Sequence, residues 1–297
     1  MRRVRPALLL AAVVVASTAS PAAAYKRPGK TERISVSTSG AQVTGHNIDA
    51  AISPDGRFVV FASSASTLVP GDTNGAFDVF VRDLGAHVTE RVSVASDGKE
   101  ANGPSASGFS YYRAKITPGG RFVVFASDAS NLVPGDTNDQ TDVFVHDRLT
   151  RKTELVSAPA GGGVGDRSSV YPAISTDGRY VAFVSWATNM VPGDTNEAGD
   201  VFVRDRLAQR TERVSLATSG AEANGLSLPA FISGDGRFVA FGSSASNLVP
   251  NDNNATSDVF VRDRATGTTE RVSVSVLGGN ANGVSNAGGI SDDGRFV

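Results

Sequence analysis

The chain has 297 residues, of which 28 are Lys or Arg, 30 are Asp or Glu and none is Cys. This balance argues against a nucleic-acid partner, because such proteins carry a basic surface that neutralises phosphates. Without disulfides, stability has to come from a buried core, which a chain of this length can supply. Beyond the N-terminal region no apolar run reaches about 20 residues, so we expect no membrane insertion.

Residues 1–24 have the features of a secretory signal peptide. Three arginines stand near the start, residues 7–15 form a short apolar run, and Ala22 and Ala24 fit a small-residue cleavage site. We therefore expect a secreted or periplasmic product. The remaining domain, residues 25–297, carries 25 basic and 30 acidic side chains once the three signal arginines are subtracted from 28, a net charge of −5.

A pentapeptide, Asp-Gly-Arg-Phe/Tyr-Val, recurs along this domain. It begins at Asp55, Asp177, Asp235 and Asp293, and a variant begins at Gly119, so that the intervals are 64, 58, 58 and 58 residues. Self-similarity at a fixed period is typical of repeat architectures. In four units the motif also precedes a Thr-Glu pair at a constant spacing of 35 residues, which favours a true repeat over a sandwich of duplicated halves.

Each unit is predicted to contain four short β-strands. In the unit of Asp177 they cover residues 173–175, 179–185, 200–204 and 211–216. These segments are rich in Val, Phe, Ile and Thr, and the Asp-Gly pair between the first two is a strong hairpin signal. Repeated four-stranded units predict an all-β fold, a β-propeller with four complete blades and a partial fifth.

A longer signature, Ile-Ser-x-Asp-Gly-Arg-Phe/Tyr-Val, stands at Ile52, Ile174, Ile232 and Ile290. It resembles the WD40-like repeat of TolB-type β-propellers. This resemblance implies six blades and a family that includes periplasmic scaffolds, surface proteins and the propeller domains of some serine peptidases. Residues 31–36 have the pattern of a lone fourth strand, and the sequence stops within a fifth unit. We interpret the chain as C-terminally truncated, with five or six blades in the intact protein.

A polar pattern, Asp-x-Asn-x-x-x-Asp, recurs in the loop between the second and third strands of every unit. Alternating Asp and Asn can direct several oxygens at one calcium ion. The same residue types form Asx turns, and the pattern lacks the bidentate Glu of hand-type calcium loops, so a turn interpretation stands beside the metal interpretation. The candidate calcium ligands are Asp72, Asn74, Asp78, Asp136, Asn138, Asp142, Asp194, Asn196, Asp200, Asp252, Asn254 and Asp258.

Departures from the repeat mark a candidate ligand site. The 64-residue interval places six extra residues before Gly119, in a loop between two blades. The only tryptophan replaces Ser or Asp in a second long loop, which we expect on the same face of the propeller. Tyr, Trp and Arg are favoured interface residues, although drift in surface loops also explains such departures. The candidate ligand-binding residues are Tyr111, Tyr112, Arg113, Lys115 and Trp186.

The sequence favours binding over catalysis. Its three histidines, His46, His87 and His146, share no repeat position, and no Gly-x-Ser-x-Gly nucleophile motif occurs. We expect His146 to be a solvated residue at a strand end. The predicted function is an exported, monomeric binding or scaffold propeller that recognises a protein or carbohydrate (glycan) ligand through its long-loop face. The alternative is part of an enzyme, either a propeller hydrolase or lyase or the gating propeller of a serine peptidase.

Overall fold

The computed structural model describes residues 29, 31–106, 113–276 and 278–297. In these ranges, sixteen strands form four sheets, each with four antiparallel strands joined in chain order. The strands are, blade by blade, β1 Asn47–Ile52, β2 Phe58–Ser63, β3 Asp78–Asp83 and β4 Val88–Arg91; β5 Lys115–Ile116, β6 Phe122–Ser127, β7 Asp142–Asp147 and β8 Lys152–Leu155; β9 Ser169–Ile174, β10 Tyr180–Ser185, β11 Asp200–Asp205 and β12 Arg210–Arg213; β13 Ser227–Ile232, β14 Phe238–Ser243, β15 Asp258–Asp263 and β16 Thr268–Arg271.

The first strands of successive blades lie next to one another. β1 contacts β5, β5 contacts β9, and β9 contacts β13, so the first strands surround a common axis and the fourth strands lie outside. This arrangement is a β-propeller, and the predicted all-β fold class is confirmed. A 3-10 turn at Pro118–Gly120 is the one helical segment that we observe in the described ranges. None of the helical structure described there is long and apolar enough to cross a membrane.

Two segments differ from the predicted strands. Residues 31–36 form no strand, and only an isolated bridge joins Val36 to Gln42. Residues 283–297, the predicted start of a fifth blade, also form no strand and contact blade four, where the Gly234 amide donates to the Asp292 carbonyl at 2.9 Å. A strand needs a neighbour that satisfies its backbone groups, and no described strand forms a backbone ladder with either segment.

The hydrophobic core lies between the blades. The second and third strands of blades one to three are buried along almost their whole length, as expected for sheets covered on both faces. In blade four the third strand is buried over its first three residues. Three buried clusters each combine residues of two successive blades, with Val60 and Phe125 in one, Val145 and Phe183 in the next. Within each blade, a pair of phenylalanines packs at 5.8–6.0 Å between ring centroids. The pairs are Phe61 with Phe80, Phe125 with Phe144, Phe183 with Phe202 and Phe241 with Phe260.

The repeated Asp-Gly-Arg motif joins neighbouring blades. In blade three, Gly178 has a φ of +75° and lies against the ring of Phe122 in blade two, where a Cβ would collide with the ring. Arg206, also from blade three, covers the same ring at 4.5 Å and forms an ion pair with Glu154 of blade two. Arg179 of the motif binds Asp205 in its own blade at 2.7 Å. The motif therefore forms a contact between blades as well as a hairpin turn.

In blade one, Arg82 of β3 forms no ion pair with Glu90 of β4. Arg82 is buried and donates to the Thr89 hydroxyl at 3.0 Å. Glu90 instead pairs with Arg148 of blade two. Arg82 pairs with Thr89 in the register and Glu90 pairs with Val81. Because successive side chains of a strand point to opposite faces of the sheet, Arg82 and Glu90 lie on opposite faces.

The expectation of a solvated His146 is wrong. The ring is buried, and its Nδ1 lies 2.9 Å from the Thr153 hydroxyl. Burial lowers the pKa of His146, because the charged imidazolium is poorly solvated there, and the carboxylates of Glu90 and Asp147 only partly oppose this. A neutral imidazole therefore fills the space that an arginine takes at the same position of the other blades.

Candidate functional site

A cavity of about 540 Å³ opens where the first strands meet at the axis. Its walls come from β5, β9 and β13, together with residues 286–288. The lining residues stand four to seven positions before each Asp-Gly turn or its Gly119 equivalent, in the middle of the first-strand segments. We call this cavity the channel mouth.

Bulges in the first strands shape this mouth. The pairing of β1, β9 and β13 with the neighbouring second strand shifts register in the middle of each strand. The same repeat position lies inside each of these bulges and holds Asp49, Tyr171 and Pro229. Arg113 has this repeat position in blade two, just before β5. Asp49 and Tyr171 have φ values of +52° and +55°. A positive φ is rare for a bulky residue, and bulges commonly redirect a side chain at a functional site.

Lys115 gives the mouth a positive charge. Its side chain is half-buried, and burial lowers its pKa, which Arg113 lowers further and Asp49 partly raises again. Asp49 forms no ion pair with Lys115 in the described part of the chain. Burial of an ammonium group beside a guanidinium is unfavourable without an anion. The two side chains are therefore suited to hold a carboxylate or another anionic group.

The candidate ligand-binding residues do not all lie together. Arg113 and Lys115 line the same cavity. Trp186 does not line it: its half-buried ring packs on Gly199 and near Leu226, where blade three meets blade four. Tyr111 and Tyr112 lie outside the described residues.

Two aromatic residues of the mouth were not found by sequence reasoning. Tyr171 and Phe231 line the cavity and are both half-buried. Tyr171 shares the repeat position of Arg113, and Phe231 shares that of Lys115. These two positions vary from blade to blade, whereas the position that follows the second one is isoleucine in every unit. Comparing every repeat position, instead of single departures, would have found them.

The Asp/Asn loops form a hydrogen-bonded turn in each blade. In blade one, the Asn74 side-chain oxygen accepts from the Ala76 amide at 2.9 Å, which is an Asx turn. Its NH₂ group donates to Asp78 at 3.0 Å and to the Ala101 carbonyl at 3.0 Å. The Ser93 hydroxyl also donates to Asp78. The corresponding amide pairs are Asn138 with Asp142, Asn196 with Asp200 and Asn254 with Asp258.

In three blades an arginine enters the loop. The Arg213 NH1 group lies 3.4 Å from Asp194, 3.2 Å from Asp200 and 2.9 Å from Glu222. Burial, with the neighbouring charge of Asp200, raises the pKa of Asp194 to about 6, although Arg213 opposes the rise. Arg91 and Arg271 occupy the same position in blades one and four. In these three loops the arginine neutralises the aspartates, so their charge does not require a metal ion. Calcium in these loops stays a prediction.

No family model and no curated protein matches this sequence. Solved structures of similar shape include TolB from Acinetobacter baumannii, at 16% identity over 77% of this chain and 43% of that one, with a TM-score of 0.46. A putative TolB from Agrobacterium tumefaciens has 14% identity over 78% and 63%, with a TM-score of 0.48. The β-propeller domain of the Trilobed protease from Pyrococcus furiosus has 10% identity over 77% and 57%, with a TM-score of 0.44.

The expected β-propeller fold is confirmed by the four described sheets and by their arrangement around one axis. The chain spans 43% and 63% of the length of the two TolB structures. Propellers carry many unrelated functions, so a shared fold transfers neither activity nor ligand to this chain.

Proposed function

We propose that this protein is an exported binding or scaffold propeller that receives an acidic segment of a protein or glycan at the channel mouth. The observation that carries the proposal is the cavity in which Arg113 and Lys115 stand beside two half-buried aromatic rings. Export is supported by the signal-peptide pattern of residues 1–24.

The two kinds of side chain supply complementary contacts. The Lys115 ammonium and the Arg113 guanidinium offer charge-assisted hydrogen bonds to a carboxylate. The rings of Tyr171 and Phe231 offer apolar surface on which a sugar face or an apolar side chain can pack. A cavity with mostly apolar walls and a few convergent polar groups is the usual form of a ligand site.

The proposal is tested by calorimetric titration of the secreted chain with tri-galacturonate and with a glutamate-rich peptide, using a neutral trisaccharide as reference. We expect an acidic ligand to bind and Lys115→Met to weaken it about 10–100-fold, because a charge-assisted hydrogen bond contributes about 1.5–3 kcal/mol. Lys152→Met is the matched control, since Lys152 is exposed on the outer strand β8.

Three results would count against this proposal. Equal binding of the neutral trisaccharide, or unchanged affinity in Lys115→Met, would exclude the channel mouth as an anion site. Absence of binding to both acidic probes would contradict the ligand class. Cleavage of tri-galacturonate during the titration would instead support the hydrolase or lyase alternative.

A further inference from the structure

The Asp/Asn loop of blade two lacks the arginine that enters the other three. Leu155 stands at the repeat position of Arg213, and Val164 stands at that of Glu222. Leu155 is partly buried and packs against the core cluster shared by blades one and two. The two Asp positions of the loop are nevertheless kept, as Asp136 and Asp142. Blade two has therefore lost the positive charge of this loop and retained both buried carboxylates.

One of these carboxylates has an oxygen without a partner. Asp136 is only 7% exposed, and no described residue hydrogen bonds to its buried Oδ2. Its carboxylate accepts one hydrogen bond, from the backbone of Asn138. At the equivalent position of the other blades, an arginine NH1 group lies 3.1–3.4 Å from the aspartate. A buried, unpaired carboxylate oxygen is costly, and it calls for a proton or a cation.

The second carboxylate lies fully buried in the same loop. Asp142 accepts from the Ser157 hydroxyl at 2.5 Å and from the Asn138 NH₂ group at 2.8 Å. Burial raises the pKa of Asp142 to about 6; these hydrogen bonds oppose the rise and the charge of Asp136 adds to it. The two carboxylates therefore repel each other in a poorly solvated place where the other blades supply a guanidinium.

In blades one and three, the same arginine also binds a backbone carbonyl of the loop. The NH2 group of Arg91 donates to the Gly71 carbonyl at 3.0 Å, and that of Arg213 donates to the Gly193 carbonyl at 2.9 Å. Gly135 stands at the same repeat position in blade two. In blades one and three, two carboxylates and this carbonyl surround an arginine. Blade two keeps the two carboxylates and the carbonyl but has no arginine. Carboxylate and carbonyl oxygens are the ligands that Ca²⁺ prefers.

We propose that blade two binds one Ca²⁺ ion between the carboxylates of Asp136 and Asp142 and the carbonyl of Gly135, at the position that an arginine takes in the other blades. The ion neutralises the carboxylate pair, and water completes its coordination. With three protein ligands the affinity is modest, and we expect a Kd of about 10⁻⁴–10⁻³ M, in the range of extracellular calcium modules. The proposal is independent of the channel mouth.

The test compares calcium binding in the chelator-treated protein and in a variant that restores the arginine. We expect calorimetry to find one Ca²⁺ per chain and 10 mM CaCl₂ to raise Tm by about 2–4 °C. Leu155→Arg should abolish both effects, because the guanidinium then neutralises the two carboxylates. Leu155→Met is the control, since it keeps an apolar side chain and should bind calcium as the wild type does.

A second pair of variants keeps the test decisive if Leu155→Arg does not fold. Asp136→Asn should lose the calcium response, while Asp97→Asn, at an exposed aspartate that pairs with Lys99, should retain it. A wild-type chain without any calcium response would overturn the proposal and leave a shared proton as the means of neutralising the pair. Undiminished calcium binding in either Leu155→Arg or Asp136→Asn would place the ion elsewhere and would also overturn it.

Discussion

At the scale of single residues, the glycine of the Asp-Gly turn has two separate roles. At Gly178 the backbone adopts a φ of +75°, which a residue with a Cβ adopts only at a cost. The same residue also touches the ring of Phe122 in the neighbouring blade. Gly236 and Gly294 repeat this contact with Tyr180 and Phe238. The turn alone requires the positive φ. The absence of a Cβ is required in addition by the close packing of two blades.

The two roles can be separated by alanine substitution. Gly178→Ala should lower the free energy of unfolding by about 2–4 kcal/mol, since it adds overpacking to the backbone cost. Gly162→Ala should lower it by only about 1 kcal/mol, because Gly162 has a φ of +84° and a Cβ added there would meet no atom within 4 Å. Urea denaturation of both variants provides the measurement. Equal losses would show that contact with Phe122 contributes nothing.

At the scale of the structural elements, charged side chains hold one blade to the next. The Arg206 guanidinium covers the Phe122 ring, pairs with Glu154 and donates to the Gly178 carbonyl. Arg148 and Arg264 make the corresponding contacts at the other two junctions between described blades. Planar guanidinium groups suit this position because they stack on a ring and donate in several directions at once.

Removal of one such arginine should weaken the junction between two blades. Arg206→Ala should lower the free energy of unfolding by about 2–3 kcal/mol, through the lost stacking and hydrogen bonds. Arg206→Lys should recover only part of this loss, because lysine lacks the planar fork. Arg210→Ala, at an exposed residue of β12, should change stability by less than about 0.5 kcal/mol. A loss in Arg206→Ala no larger than that control would contradict the assigned role.

At the scale of the whole molecule, the core consists of clusters shared by successive blades, so the blades depend on one another. No blade buries both faces of its sheet alone, because at least one face packs against a neighbouring sheet. The other face of blade one packs against Ile34 and Val43 of the N-terminal segment. Solenoid-type repeats can unfold stepwise when intrinsic repeat stability is high. Here three core clusters each join two successive blades, which favours cooperative unfolding.

We expect a single unfolding transition for the four described blades. Trp186 lies at the junction of blades three and four, so its fluorescence reports local structure, whereas far-UV circular dichroism reports all sheets. The two signals should give the same urea midpoint, both in the wild type and in Gly178→Ala, which perturbs a different junction. Separate midpoints would show that blades unfold independently.

The sequence by itself determined the repeat, the four strands of each unit and the propeller class, because Asp-Gly hairpins and short β-branched runs act locally. Only the tertiary structure decided the partners of the charged side chains. Arg82 binds Thr89 and the Ser37 carbonyl, Glu90 binds the next blade, and His146 is buried. Most of these choices depend on contacts between residues far apart in sequence. The channel mouth depends in the same way on bulges that place residues such as Tyr171 at the axis. Sequence spacing could specify the blades, whereas the site arises from how several blades meet.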